Sequence, residues 1–224
     1  MAKTVLEMKG VTKSFGATKA LKQVSIELYE HEILAICGEN GAGKSTLMKV
    51  LSGSYEFGSY EGEIRIDGKP CVFRTPADAS AAGIEMIYQE ISVHLDLSVA
   101  ENIFLGRVPL RAGMVQWKQM NEKAKTYADM VGLKVPVTTH LRDLSASQCQ
   151  MVSIARALSR NPKILVLDEP TSPLTDAEVE ELFKILFRLR DGGISCIYIS
   201  HKIKEIKRLA NRVCILRDGA HVWT

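Results

Sequence analysis

The stretch Gly38-Glu39-Asn40-Gly41-Ala42-Gly43-Lys44-Ser45-Thr46 satisfies the pattern G-x-x-x-x-G-K-[ST] at every fixed position, and the chemistry of that pattern is the holding of nucleotide phosphates. Glycines let the backbone wrap closely around an anion, so that successive N–H groups and the positive end of the following helix point at the β- and γ-phosphates. Lys44 adds a full charge there, and the Ser45 hydroxyl is of the kind that ligates Mg²⁺. A glycine-rich turn with an incidental lysine is the plainer alternative. The surroundings favour the cradle: Ile33–Cys37 is an apolar run of buried-strand type, and Leu47, Met48, Val50 and Leu51 follow at helical spacing.

Further along lie the groups that such a cradle needs for phosphoryl transfer. Residues 163–169, Lys-Ile-Leu-Val-Leu-Asp-Glu, read as an apolar strand ending in two adjacent carboxylates. Asp168 is placed to hold the Mg²⁺ shell, and Glu169, one residue on, to orient or deprotonate the attacking water. Gln89 follows the strand 84–88 and His201 follows the strand 194–199. A lone His after a strand is usually structural, but a parallel sheet gathers its ligands at such strand ends, which favours a role for both residues. Phe15, at an expected turn Lys13–Gly16, has two readings: a stacking platform for an adenine ring, or packing against a neighbouring strand.

The elements that must position these groups alternate. Thr4–Met8 and Gln23–Tyr29 look like strands. Residues 62–73 read as a hairpin turning at Asp67-Gly68, antiparallel by construction. Pro76–Ala82 is expected to be a short helix and Ile84–Tyr88 a strand. Ser98–Leu105 begins on a good N-cap, and Trp117–Val131 carries apolar residues at helical spacing until Gly132 stops it. These helices predict an all-helical insertion over roughly 91 to 155. Asp176–Leu189 is an amphipathic helix closed by Gly192-Gly193.

The bulk composition frames these readings. With 224 residues, 46% hydrophobic and 25% charged, the chain has an ordinary globular composition and is expected to form one domain with a subdomain. A net charge of +3 without blocks of like charge argues against a nucleic-acid partner. No apolar run approaches the ~20 residues of a membrane span, and Met1–Glu7 has no apolar leader. Cys37, Cys71, Cys149, Cys196 and Cys214 stand singly and read as reduced residues of a cytoplasmic protein.

Taken together, the phosphate loop, the Gln89 loop, the segment Leu144-Ser145-Ala146-Ser147-Gln148, the strand Ile164–Glu169 with Pro170-Thr171-Ser172, and His201 resemble the motifs of the ATP-binding subunits of ABC transporters, in order and spacing along the whole chain. Within that family, Tyr60-Glu61-Gly62-Glu63-Ile64, Ala100–Gly106, Ile199–Lys202 and Ile215–Gly219 look like the N-terminal half of monosaccharide importers of the ribose, xylose and galactose type. The resemblance implies an α/β fold: a P-loop NTPase with a mainly parallel core sheet, an N-terminal antiparallel β-subdomain and an inserted α-helical subdomain, all within one nucleotide-binding domain over 1–224. It implies ATP and Mg²⁺ as cofactors. Phe15 falls at the adenine-stacking position, Glu169 at the catalytic carboxylate and His201 at the γ-phosphate contact. Gln89 falls where γ-phosphate and metal are linked to the membrane subunits. Ser145, Ser147 and Gln148 fall in the signature that meets the γ-phosphate held by an opposing domain.

The implied assembly is a head-to-tail pair of nucleotide-binding domains on integral membrane permease subunits, at the inner face of the cell membrane. Three features depart from the family pattern. Ala146 and Ser147 replace the two glycines of Leu-Ser-Gly-Gly-Gln, so the Ser147 side chain is expected to crowd the facing phosphate and lower or retune activity. Pro173 and Thr175 stand where many members have Ala and Asp. Sugar-importing subunits usually carry two such domains, so the resemblance implies that 1–224 is one of a pair. A soluble ABC-type ATPase acting on DNA or ribosomes would instead carry coiled-coil or basic insertions. A nucleotide-sensing module would bind ATP without turning it over.

Overall fold

The computed structural model describes residues 3–90 and 92–224. Met1 and Ala2, from which the absence of a leader is partly read, and residue 91, the expected edge of the helical insertion, lie outside the described residues. The chain divides into two compact units. One comprises Met1–Met86, Lys163–Glu169 and Leu186–Thr224, the other Ile87–Pro162 and Pro170–Ile185.

In the first unit, β1 (Thr4–Phe15) and β2 (Thr18–Tyr29) form a long antiparallel pair. β3 (Ile33–Cys37) leads into α1 (Lys44–Leu51), and β4 (Glu61–Ile66) and β5 (Lys69–Cys71) form the expected hairpin. Asp67 and Gly68 both have positive φ, 50° and 75°, as a tight two-residue hairpin turn demands. α2 (Pro76–Ala81) and β6 (Ile84–Ile87) follow. The four-stranded sheet has the order β2-β1-β4-β5.

In the second unit, α3 (Val99–Ile103), the short pair β7 (Leu110–Arg111) and β8 (Met114–Val115), α4 (Trp117–Met130) and α5 (Ala146–Leu158) occur in sequence. The expectation of an all-helical insertion is corrected by that β7–β8 hairpin, whose two-residue strands are too short to show a period. α3 and α5 each begin with a capping box, Ser98 with Glu101 and Ser145 with Gln148. Each box satisfies orphan N–H groups that would otherwise stay unpaired at the helix start.

β9 (Ile164–Asp168), α6 (Asp176–Asp191), β10 (Ser195–Ile199), α7 (Ile203–Leu209), β11 (Arg212–Arg217) and β12 (Ala220–Trp223) complete the chain. The six-stranded sheet runs β12-β11-β3-β10-β9-β6. Its pairs β11–β3, β3–β10 and β10–β9 are parallel, and β12 is antiparallel to β11. β9 and β10 are buried at every position, which is why both read as unbroken apolar runs. The core of the first unit draws Leu6 and Met8 from β1, Leu28 from β2, Ile36 from β3, Leu47 and Leu51 from α1, and Val166 and Ile197 from the parallel strands. Each such side chain contributes about 1.5–3 kcal/mol by leaving water.

The turn expected at Lys13–Gly16 is also corrected. β1 continues to Phe15, and only Gly16 and Ala17 turn. Register shifts between Met8 and Val11, Val11 and Lys13, and Lys13 and Ser14 break the two-residue alternation that marks a strand in sequence. Among the described residues, no helix is long and apolar enough to cross a membrane.

Candidate functional site

The register of three adjacent parallel strands builds the site. Ile199 of β10 is paired with Ile36 of β3 and with Asp168 of β9, so all three strands end at one level. The phosphate loop leaves β3 there, Glu169 leaves β9, and Ser200-His201 leaves β10. Ligands of open α/β sheets collect at such carboxyl ends.

Two glycines of the loop are demanded by packing as much as by any ligand. A Cβ on Gly38 would lie 2.2 Å from the Leu216 carbonyl oxygen, and one on Gly43 2.8 Å from that of Ala20. Gly41 has open space around it but a φ of 84°, a conformation that an L side chain rarely adopts. α1 starts at Gly43 with no side-chain cap and no acidic residue in its first turn, so the positive end of the helix is uncompensated from within. Lys44 is buried, and its Nζ donates to the carbonyls of Gly38 at 2.6 Å and Glu39 at 3.0 Å. The ammonium is thereby held inside the curl of the loop. Glu39, Asn40 and Ser45 are exposed, Thr46 is half-buried and Ala42 is buried.

Asp168 is 8% exposed. Burial, and then the neighbouring Glu169, push its carboxyl above the usual range, while Lys44 and Lys49 pull it back. The buried Asp168 carboxylate and the exposed Ser45 hydroxyl are both hard oxygen donors. They suit Mg²⁺, which binds through few protein oxygens together with substrate phosphates. Among the described residues, no group of three or more His, Cys, Asp or Glu gathers as a metal site.

Glu169 has a φ of 45°, held by the bond from its N–H to the Ile199 carbonyl at 3.0 Å. For a residue other than Gly such a conformation costs about 1–3 kcal/mol and persists only where neighbours impose it. The turn lets the carboxylate reach His201, whose Nδ1 lies 2.9 Å from Glu169 Oε1. The backbone of His201 is fastened from beside. Glu205, itself buried, accepts from Tyr198 Oη at 2.6 Å and Ser200 Oγ at 3.2 Å and pairs with Lys202 Nζ at 3.1 Å. The Ser200 hydroxyl also accepts from the Lys202 N–H at 3.0 Å. If His201 is neutral and donates from Nδ1 to Glu169, its Nε2 carries a lone pair. Donation to a phosphate then requires the imidazolium or a turned ring.

Phe15 is 46% exposed at the end of β1. Tyr55 meets it edge to face, with ring centroids 5.5 Å apart at 62°. The Lys13 ammonium lies 5.2 Å from the Phe15 centroid and 4.9 Å from that of Tyr55, and donates to the Ser59 carbonyl at 2.5 Å. Packing and an open aromatic face therefore coexist, and the two sequence readings of Phe15 are compatible. Sequence reasoning missed Tyr55 and Lys13; a lone aromatic four residues after α1 carried no recognisable pattern.

Lys44, Asp168, Glu169 and His201 belong to the first unit, whereas Gln89, Ser145, Ser147 and Gln148 belong to the second. Gln89 is exposed two residues beyond β6. Ser145 is exposed at the N-cap of α5, and the Gln148 side chain is engaged in its capping box, accepting from the Ser145 N–H at 3.0 Å. Ser147, expected to project outward, is only 9% exposed, and its hydroxyl lies 2.8 Å from that of Ser145.

A glycine-rich anion loop on a parallel sheet, with an acidic strand end and a Glu–His pair beside it, defines a P-loop nucleotide-binding domain. The family model described as "ABC transporter" matches residues 21–172, and the chain belongs to that family. It is 50% identical over 220 residues to the "Xylose import ATP-binding protein XylG" of Moorella thermoacetica, covering 98% of this chain and 44% of that protein. Over 218 residues it is 50% identical to the "Ribose import ATP-binding protein RbsA 2" of Escherichia coli O157:H7, covering 97% and 43%. The chain thus spans less than half the length of these curated relatives. Among solved structures, a nucleotide-free ATP-binding cassette from an ABC transporter superposes with a TM-score of 0.87 at 26% identity, covering 98% of this chain and 90% of that one. A dimeric ATP-binding cassette in a post-hydrolysis state, bound to ADP and Pi, gives 0.81 at 27%, covering 97% of each.

Proposed function

We propose that this chain is the ATP-binding and ATP-hydrolysing domain of an ABC importer that powers uptake of a monosaccharide. The single observation carrying the reading is the convergence, at one sheet edge, of the phosphate loop with its buried Lys44, the acidic Asp168 and the Glu169–His201 pair. The names of the xylose and ribose import relatives support a pentose or similar sugar as the cargo.

In this reading the loop 38–46 holds the ATP phosphates, and Ser45 and Asp168 would hold Mg²⁺, which when bound neutralises phosphate charge. Glu169 takes the proton of the attacking water, and His201 orients Glu169 or, once charged, donates to the γ-phosphate. Phe15 carries the adenine. The helical subdomain, about 91–155, presents Ser145 at the start of α5 to the nucleotide of a second cassette, head to tail, and Gln89 relays the nucleotide state to membrane permease subunits. The domain works at the cytoplasmic face of the membrane.

A steady-state phosphate-release assay with Mg-ATP tests this. The chain alone is expected to bind ATP and turn it over slowly, and a second cassette with the membrane subunits to raise the rate. Tight binding with no release in any combination would point instead to a nucleotide-sensing module.

Phe15→Ala is expected to cost about 1–3 kcal/mol of nucleotide affinity, the range for a base on an aromatic platform. ATP and GTP should lose alike, because a ring face tolerates any base. A Phe15→Ala protein binding ATP as tightly as the parent in a fluorescence titration would leave Phe15 only its packing on Tyr55.

A further inference from the structure

Two residues outside the motifs of the sequence converge on the Phe15 ring. Tyr55 meets it edge to face at 5.5 Å, and the Lys13 ammonium lies over both rings, 5.2 Å from the Phe15 centroid and 4.9 Å from that of Tyr55. Lys13 is only 7% exposed. An ammonium so far out of water needs compensation, and it finds it in the Ser59 carbonyl at 2.5 Å and in the electron-rich faces of the two rings. The two rings and the ammonium form one unit, in which each part fixes the other two.

Tyr55 ties that unit to the phosphate loop. α1 begins at Gly43 of the loop, and past its last turn the chain folds back on the helix: the Ser52 N–H donates to the Met48 carbonyl at 2.8 Å and the Tyr55 N–H to the Lys49 carbonyl at 3.0 Å. Gly53 sits in that reversal at a φ of 71°, where a Cβ would stand 2.5 Å from the Thr75 carbonyl oxygen. The Lys49 ammonium of α1 also lies over Tyr55, 5.9 Å from its centroid. Tyr55 itself packs against the core of the first unit, whereas Phe15 stays half-exposed. One end of α1 thus belongs to the phosphate loop, and the other carries the ring against which Phe15 leans.

We propose that Tyr55 and Lys13 are positioning residues for the nucleotide base: they hold the half-exposed Phe15 ring in the orientation on which adenine stacks, in register with the phosphate loop at the far end of α1. The inference rests on the reading of Phe15 given under the proposed function. An unbraced side chain at a strand end samples several staggered rotamers, and affinity falls by the fraction of time in which the ring is correctly set. The brace therefore acts on the base and not on the phosphates.

The test titrates the chain calorimetrically with Mg-ADP, which carries the base, and with Mg-tripolyphosphate, which carries phosphates alone. Tyr55→Leu is expected to weaken ADP binding about twofold to tenfold, the scale of one aromatic pair, and to leave tripolyphosphate binding unchanged. Tyr55→Phe keeps the ring and should bind ADP as the parent does. Lys13→Met keeps the stem, removes the charge and is expected to weaken ADP binding about twofold to fivefold, the scale of a cation over a ring. Both losses should vanish in a Phe15→Ala background, where no ring is left to hold.

Equal weakening of ADP and tripolyphosphate by Tyr55→Leu would show that it acts through α1 and the loop, and would overturn the brace. A loss that persists in the Phe15→Ala background would do the same. If Phe15→Ala weakens ADP binding and neither Tyr55→Leu nor Lys13→Met does, the brace is wrong and the adenine platform stands. If Phe15→Ala binds ADP as tightly as the parent, the platform reading falls and the brace falls with it. Should Tyr55→Leu fail to fold, Lys13→Met decides by the same comparison of the two ligands.

Discussion

Glu169→Gln is expected to bind ATP with nearly the parent affinity and to hydrolyse it at least two orders of magnitude more slowly. The lower bound is the usual loss on removing a general base. An amide keeps the size and hydrogen-bonding reach of the carboxylate but cannot take a proton at neutral pH. The surroundings argue for a base rather than a packing residue: Glu169 sits at a positive φ that costs energy, and its carboxylate faces His201 at 2.9 Å. Single-turnover phosphate release beside an equilibrium ATP titration is the check. Hydrolysis at the parent rate would remove Glu169 from the chemistry and leave His201 to be tested alone.

Lys44→Ala is expected to weaken ATP binding itself, by about 1.5–3 kcal/mol, the range for a hydrogen bond to a charged group. That is on the order of tenfold to a hundredfold in affinity. The ammonium is tied to the Gly38 and Glu39 carbonyls. The variant therefore also loses two bonds that hold the loop in its curl. A melting curve read beside a calorimetric titration separates the two losses: a lowered melting temperature with unchanged ATP affinity would make Lys44 a clasp of the loop and not a phosphate ligand. The two variants differ in which constant they move, so measuring both on one preparation tests the division of labour between binding and hydrolysis.

Much of this site is local in sequence, and what is local was legible. The strand, loop and helix around 33–51, the carboxylates closing β9, the Asp67-Gly68 turn and the N-cap at Ser98 each lie within a few residues of one another. Period, caps and turn chemistry act over that same distance. The elements that went astray are those shaped by a partner strand or a distant helix. β1 ran past its expected turn because its irregular register is held by β2 and β4. Ser147 turned inward into a cleft that Glu178 and Glu181, more than thirty residues later, help to line.

By itself, the sequence determined a glycine-rich loop with a lysine between a strand and a helix, followed further along by an acidic strand end and a histidine. Those are contiguous patterns, and the chain can adopt them in few other ways. Only the tertiary structure decided that Glu169 and His201, 32 residues apart, touch. It likewise set Phe15 against Tyr55 and made Gly38 and Gly43 obligatory through the backbone of β11 and β2 as well as through any ligand. The Glu169–His201 contact and the approach of Gly38 to β11 depend on the order and register of β3, β10, β9 and β11. That register comes from the burial of whole apolar strands against one another, a property of the assembled sheet that no single stretch of residues carries.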